Sequence, residues 1–264
     1  MKALTRRMDR ETGPTILFAD VGRNQATTFS GFCAEHDSEI FRSIDINTFQ
    51  PTDPEHLFLA AYRAVARELH ALLEASSKIQ TTYMKRVELG LDSWDEPTPA
   101  GVAAVGYMTR ACSTHLYKSS FDEAILAKQY DAVLHDVIKI DHEEPTVAVC
   151  SLSSIDGLLR DDDWVRVALN VLPLSQTESI VAFSYLPEDA ALARAALRLI
   201  LTSDGSYQKY LLSKLILNNC ENFVVSPGYF GKWSPEKTKA VTDYFVKTLF
   251  DGGLDIENKN LYLF

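Results

Sequence analysis

The sequence predicts an α+β fold with a central antiparallel sheet of about four strands, flanked by N-terminal and C-terminal helices. Two observations carry this. Capped, helix-period apolar stripes occupy residues 51–126 and 187–249. Between them the pattern changes to β-branched and aromatic runs separated by polar or proline breaks. Helices that bracket a set of strands, instead of alternating with them, favour α+β over α/β. With 264 residues, 46% hydrophobic and 23% charged, the chain matches an ordinary globular composition, which excludes disordered, collagen-like and low-complexity classes. The expected organisation is an irregular segment with short strands over residues 1–50 and a single compact domain over residues 51–264.

The elements follow in order. Lys2, Arg6, Arg7 and Arg10 make a small basic arm that reads as a solvated terminus. Thr15 to Ala19 is the first apolar run, with Gly22 and Asn24 as turn formers. Asp53 and Pro54 supply an N-cap and a first-turn proline. Phe58, Ala61, Val65, Leu69 and Leu72 then repeat at helical spacing, predicting a helix to about Ser76 and a polar loop over 77–98. Thr98 and Pro99 repeat the cap signal ahead of a stripe of Val102, Val105, Thr109, Cys112 and Leu116. A third helix, capped by Ser119 or Ser120, is expected through Phe121, Ile125 and Leu126.

Four strands are expected at 133–140, 146–151, 165–174 and 179–186, pairing as two hairpins across the acidic connection 141–145 and the polar connection 174–178. Helices return at 187–202, with Ala191, Ala195 and Leu199 on one face, and at 206–218. The last helix opens at Ser234-Pro235, carries Ala240, Val241, Tyr244, Phe245 and Leu249, and stops at Gly252-Gly253. An αL asparagine within Asn218–Asn222 is expected to end the helix before it.

Charge and cysteine usage narrow the function. The 26 Lys and Arg against 36 Asp and Glu give a net charge of −10, which disfavours strong non-specific nucleic-acid binding. No signal-type apolar region follows the basic N-terminus, and no apolar run approaches the roughly 20 residues that span a bilayer. Four scattered cysteines (Cys33, Cys112, Cys150, Cys220) read as free thiols, so the expectation is a cytoplasmic protein of bacterial type with no membrane partner.

The densest chemical signal is the stretch from Thr27 to Phe41. Cys33 and His36, three residues apart, have a spacing at which a thiolate and an imidazole can share one zinc ion. Asp37 and Glu39 would then be outer carboxylates or the base for a metal-activated water, making His36 and Asp37 the candidate catalytic pair. The competing reading packs Cys33 and His36 into a tight turn, with His36 bonded to backbone or to Asp37. A second Cys-x-x-His pair, Cys112 and His115, lies on a helix where Cys112 reads as a small buried hydrophobe. Asp161-Asp162-Asp163 lacks the alternating oxygens and glycine of a calcium loop and reads as a solvated turn.

Gly31-Phe32-Cys33, His36-Asp37 and Phe41, followed by Tyr62-Arg63 and Arg67-Glu68 on one helix and by Glu221-Asn222 and Ser226-Pro227, together resemble a family of bacterial proteins marked by a GFCxxHD element. The resemblance implies an HNH-like or treble-clef zinc element with further Cys and Ser-His residues upstream. This chain has no cysteine or histidine before Cys33, so half of that ligand set is missing.

Arg63 and Arg67, at i and i+4, can bind a phosphate or carboxylate, or pair as surface charges with Glu68. Glu221 and Asn222, with Ser226 and Tyr229, are candidates for a pocket wall. No Walker loop, GxGxxG, GxSxG or HExxH motif is present. The leading expectation is therefore a protein that acts through a protein partner or a small-molecule pocket, with Phe29, Phe32, Phe41 and the run Tyr229–Trp233 as aromatic anchors. The alternative is a degenerate metal-dependent nuclease or zinc-binding protein centred on Cys33, His36 and Asp37.

Overall fold

The computed structural model describes residues 1–9, 13–22, 29, 31–156, 164–251 and 256–264. Seven strands form one sheet: β1 (Lys2–Asp9), β2 (Gly13–Asp20), β3 (Leu134–Asp141), β4 (Val147–Asp156), β5 (Trp164–Pro173), β6 (Glu178–Tyr185) and β7 (Phe223–Val225). Their spatial order is β2-β1-β7-β4-β5-β6-β3, and every neighbouring pair is antiparallel. The helices are α1 (Ala34–Ile46), α2 (Pro54–Glu88), α3 (Pro99–Ala127), α4 (Ala190–Thr202), α5 (Gly205–Asn219), the single turn α6 (Pro227–Phe230) and α7 (Pro235–Asp251).

The sheet separates two apolar cores. Strand alternation sends Val165, Val167, Leu169 and Val171 of β5 to the side covered by α4, α5, α7 and the C-terminal Leu261–Phe264. Ala168 of β5 and Leu152 of β4 point the other way, into Phe41 of α1, Phe58 and Val65 of α2, and Phe121 of α3. The predicted face of α2 is the buried one, with Phe58, Ala61 and Val65 all at 0% exposure. Asp53 accepts from the Glu55 N–H at 2.9 Å and Thr98 from the Gly101 N–H at 3.2 Å, so both caps form as expected.

Several expectations are corrected. Among the described residues the sheet has seven strands, not about four, because the basic arm and the first apolar run pair along their whole length as β1 and β2, and β7 adds a short strand between β1 and β4. Residues 1–50 thus hold two eight-residue strands and α1 rather than irregular structure with short strands. α2 does not stop near Ser76 but continues to Glu88. Its polar second half contains strong helix formers and no breaker before Gly90, whose φ of +70° suits glycine alone. Residues 119–127 continue α3 without a break, Ser119 donating back to the His115 carbonyl at 3.0 Å.

The first expected hairpin does not form. β3 pairs with β6 and β4 with β5, so the connection from Asp141 to Val147 crosses two strands. Six residue steps reach about 20 Å, enough for the roughly 14 Å of three strand spacings. The second hairpin, β5–β6, is present. α4 buries Ala193, Leu197 and Ile200 and leaves Leu199 55% exposed, a register one face away from the expected one. α5 ends with Cys220 in an extended conformation, not on a left-handed asparagine. Arg10, Asn24, Asp161–Asp163 and Gly252-Gly253 lie outside the described residues, as do Thr27, Thr28 and Ser30 of the aromatic stretch.

Candidate functional site: a charged cleft in a gap of the sheet

The sheet is incomplete at its centre. β7 has three residues, pairing with β4 only from Val147 to Val149 and with β1 only at Lys2. Beyond Phe223 the chain leaves the sheet, so β1 and the second half of β4 run on in the same direction about two strand spacings apart, roughly 10 Å, with no strand between them among the described residues. Asn222 closes the bottom of this gap, its side chain donating to the Cys150 carbonyl at 2.7 Å and its carbonyl accepting from the Cys150 N–H at 3.4 Å. α2 and α3 roof one side. The result is a cleft of about 990 Å³ that reaches from Arg6 of β1 to Trp164 and Arg166 of β5.

Charged groups of both signs converge there: Arg67 and Glu68 from α2, Arg110 from α3, Arg166 from β5 and Glu221 from the turn before β7. Arg166 is fixed by a 2.7 Å bond to the Ser113 hydroxyl, with its guanidinium 4.5 Å from the Trp164 ring and 5.2 Å from the Tyr117 ring. Arg67 differs, because its Nε is buried and has no hydrogen-bond partner among the described residues. Burial holds the Arg67 guanidinium below its ordinary pKa, although no arginine gives up its proton near neutrality. Burial raises Glu68, the nearby Glu221 raises it further, and Arg110 and Arg67 oppose both. Beneath them, burial pushes the Cys150 thiol up to about 11 against the pull of Arg67 and Arg63. Serines 151, 153 and 154 add hydroxyls along β4, Ser153 donating to the Asn219 carbonyl at 2.9 Å.

The structure divides the residues singled out in the sequence. Arg67, Glu221 and Asn222 meet in this cleft. Arg63 does not: it makes two bonds of 2.9 and 2.8 Å to Asp45 of α1 and lies 4.1 Å over the Phe41 ring. Cys33 is the residue before α1, and its sulfur approaches His36 Nδ1 at 3.2 Å. Both are exposed, as is Asp37, so none is packed in a tight turn and His36 takes its bond from neither backbone nor Asp37. Among the described residues, no three His, Cys, Asp or Glu side chains are grouped to hold a metal ion. Cys112 is exposed, not a buried hydrophobe. Phe41 is fully buried, while Phe230 and Trp233 are half-buried and pack against Phe18 at 5.1 and 5.5 Å, Trp233 also lining a groove outside the cleft. Tyr229 donates to the Phe264 carbonyl at 3.1 Å, away from the cleft.

Arg110 and Arg166 escaped sequence reasoning. Arg166 left a trace, as the one charged residue in the apolar run from Trp164 to Leu174, at an alternation position that faces the helices. Arg110 left none, since an arginine on a long helix is ordinary. Among the described residues no helix is long and apolar enough to cross a membrane. No family model matches the chain, and neither a curated protein nor a solved structure does.

Proposed function

We propose that this is a ligand-binding protein whose cleft takes a small polar molecule carrying a carboxylate or phosphate group. One observation supports this above the others: the buried Nε of Arg67 on the cleft wall, without a partner among the described residues. A buried donor without an acceptor costs about 1–3 kcal/mol, and a guanidinium cannot escape by losing its proton. An anionic ligand oxygen supplies the missing acceptor. Arg110 and Arg166 widen the positive field, while Glu68, Glu221 and the β4 serines suit hydroxyl or amino groups elsewhere on the same molecule. A neighbouring groove between β2 and α7 is larger, about 1220 Å³, but Ile16, Leu17, Val246 and Trp233 give it a mainly apolar wall.

Thermal shift and calorimetry test the reading with inorganic phosphate, citrate and a nucleoside monophosphate as probes. At least one anion is expected to raise the melting temperature. Arg67→Met should weaken its binding 10-fold or more, the equivalent of about 1.5–3 kcal/mol for a charge-assisted bond. No stabilisation by any of the three, or equal stabilisation of Arg67→Met, would refute an anion site at Arg67.

A further inference from the structure

We infer that two copies of this chain pair through the exposed apolar face of the α2–α3 arm. The two helices form an antiparallel hairpin, α2 running on past Ser76 to Glu88 and α3 starting at Pro99. α3 buries Ala104, Ala111, Thr114, Tyr117 and Phe121 on one side. On its opposite side Val102, Val105, Thr109, Cys112 and Leu116 recur at intervals of three and four, the strict seven-residue repeat of a helix seam, with Thr109 also reaching the edge of the cleft. Val102, Val105 and Leu116 are 61%, 63% and 66% exposed. A helix with apolar stripes on both sides belongs inside a bundle, and among the described residues this one is covered on one side only.

α2 extends the same face. Leu73, Ser77, Gln80 and Met84 share a helical stripe, with Leu73 and Met84 54% and 50% exposed, and Gln80 touches Met108 of α3 at 3.0 Å. The exposed apolar residues of both helices therefore sit on one side of the arm.

The occupant follows from charge and size. Between Gly101 and Ser120 the only Asp, Glu, Lys or Arg residues are Arg110, which lines the cleft, and Lys118, which is bonded to Asp122 at 2.5 Å. On α2, Lys78 pairs with Glu74, Lys85 with Glu88, and Arg86 with Asp92. Such a seam offers no charge for an acidic or basic partner to read. It matches a neutral apolar seam, which is what its own copy presents. At about 60 Å² of exposed surface each, the six side chains Leu73, Met84, Val102, Val105, Met108 and Leu116 give roughly 350 Å² of apolar area. Homodimer interfaces are about 65% apolar, so this implies roughly 550 Å² per protomer and about 1,100 Å² for the pair, just above the roughly 1,000 Å² a specific interface needs.

Antiparallel pairing about a two-fold axis between Thr109 and Cys112 sets Val105 against the partner's Leu116 and Thr109 against the partner's Cys112, completing a four-helix bundle from two hairpins.

Light scattering on the full chain at tens of micromolar should give twice 29.5 kDa. Val105→Glu/Leu116→Glu should give the single mass with unchanged ellipticity. Thr109→Cys should form a disulfide-linked dimer under mild oxidation, and the link should vanish when Cys112→Ser is added. A monomeric parent at that concentration overturns the proposal. So does a double-Glu variant that stays dimeric, or a parent dimer whose Thr109→Cys variant fails to link. The Thr109→Cys result stands even if the double-Glu variant does not fold.

Discussion

At the scale of the residue, burial decides which titratable groups carry information. His135 on β3 has Nδ1 2.8 Å from the Ser184 hydroxyl, and its Nε2 is buried without a partner among the described residues. Burial lowers its pKa from 6.5 to about 4, with Asp136 pulling weakly the other way. The sign is that of a depressed base: above pH 6.5 the ring is neutral in both states and the shift has no effect. As pH falls from 6.5 towards 4 the unfolded chain takes up a proton that the folded chain refuses, and stability is lost. At pH 5 the expected loss is about 2 kcal/mol. His135→Asn should remove that part of the acid sensitivity, so urea unfolding of parent and variant at pH 7.5 and pH 5 should show the parent losing more. Parallel losses would mean that the histidine is not held neutral. The same logic separates Arg63 from Arg67. Sequence places them one turn apart on one helix, but not the neighbours: α1 brings Asp45 to the first, and the short β7 leaves the second facing a gap.

At the scale of the element, α2 shows where helix-period reasoning holds and where it stops. Its first half is read from apolar spacing, and Val65 at 0% exposure sits in the middle of the buried face. Val65→Asp should destabilise the fold by on the order of 4 kcal/mol or more, since the carboxylate would be buried without a partner. A melting curve equal to the parent's would place Val65 on the wrong face. The second half, Ser77 to Glu88, has no apolar stripe of that kind. It is helical through propensity, the Lys78–Glu74 and Lys85–Glu88 pairs and packing along α3, signals that a search for periodicity overlooks. α3 misleads in the opposite sense. Its most regular apolar stripe is the exposed one, while the buried side mixes Tyr117 and Phe121 with Ala104, Ala111 and Thr114, small residues that look unremarkable in sequence. The positions of β3 to β6 were legible from their β-branched and aromatic runs, whereas β1 read as a solvated basic arm and β7 is only three residues long. The pairing of β3 with β6 was not legible, because it depends on a connection crossing two strands, and neither was the gap beside β4, which arises from what β7 lacks.

At the scale of the whole molecule, one sheet serves two cores, and that makes them interdependent. Along β5, Val167, Ala168, Leu169, Asn170 and Val171 are all at or below 1% exposure, though they alternate between the two faces. Stripping the helices from either side would bare alternate residues of the same strand, and β5 and β6 could not stay ordered for the other side alone. The cleft shares this dependence, since its walls come from α2 and α3 on one face, Asn218 and Asn219 of α5 on the other, and β1, β4 and β5 of the sheet itself. Equilibrium unfolding should therefore be a single transition, with far-UV ellipticity and tryptophan fluorescence coincident. Val65→Asp damages the α2–α3 face and Val241→Asp, at an α7 position with 0% exposure, damages the opposite one. Each should move the whole transition to lower denaturant without splitting it. If either variant instead showed two resolved steps, one core would be able to hold the sheet without the other, and the cleft between them could not be treated as part of one rigid frame.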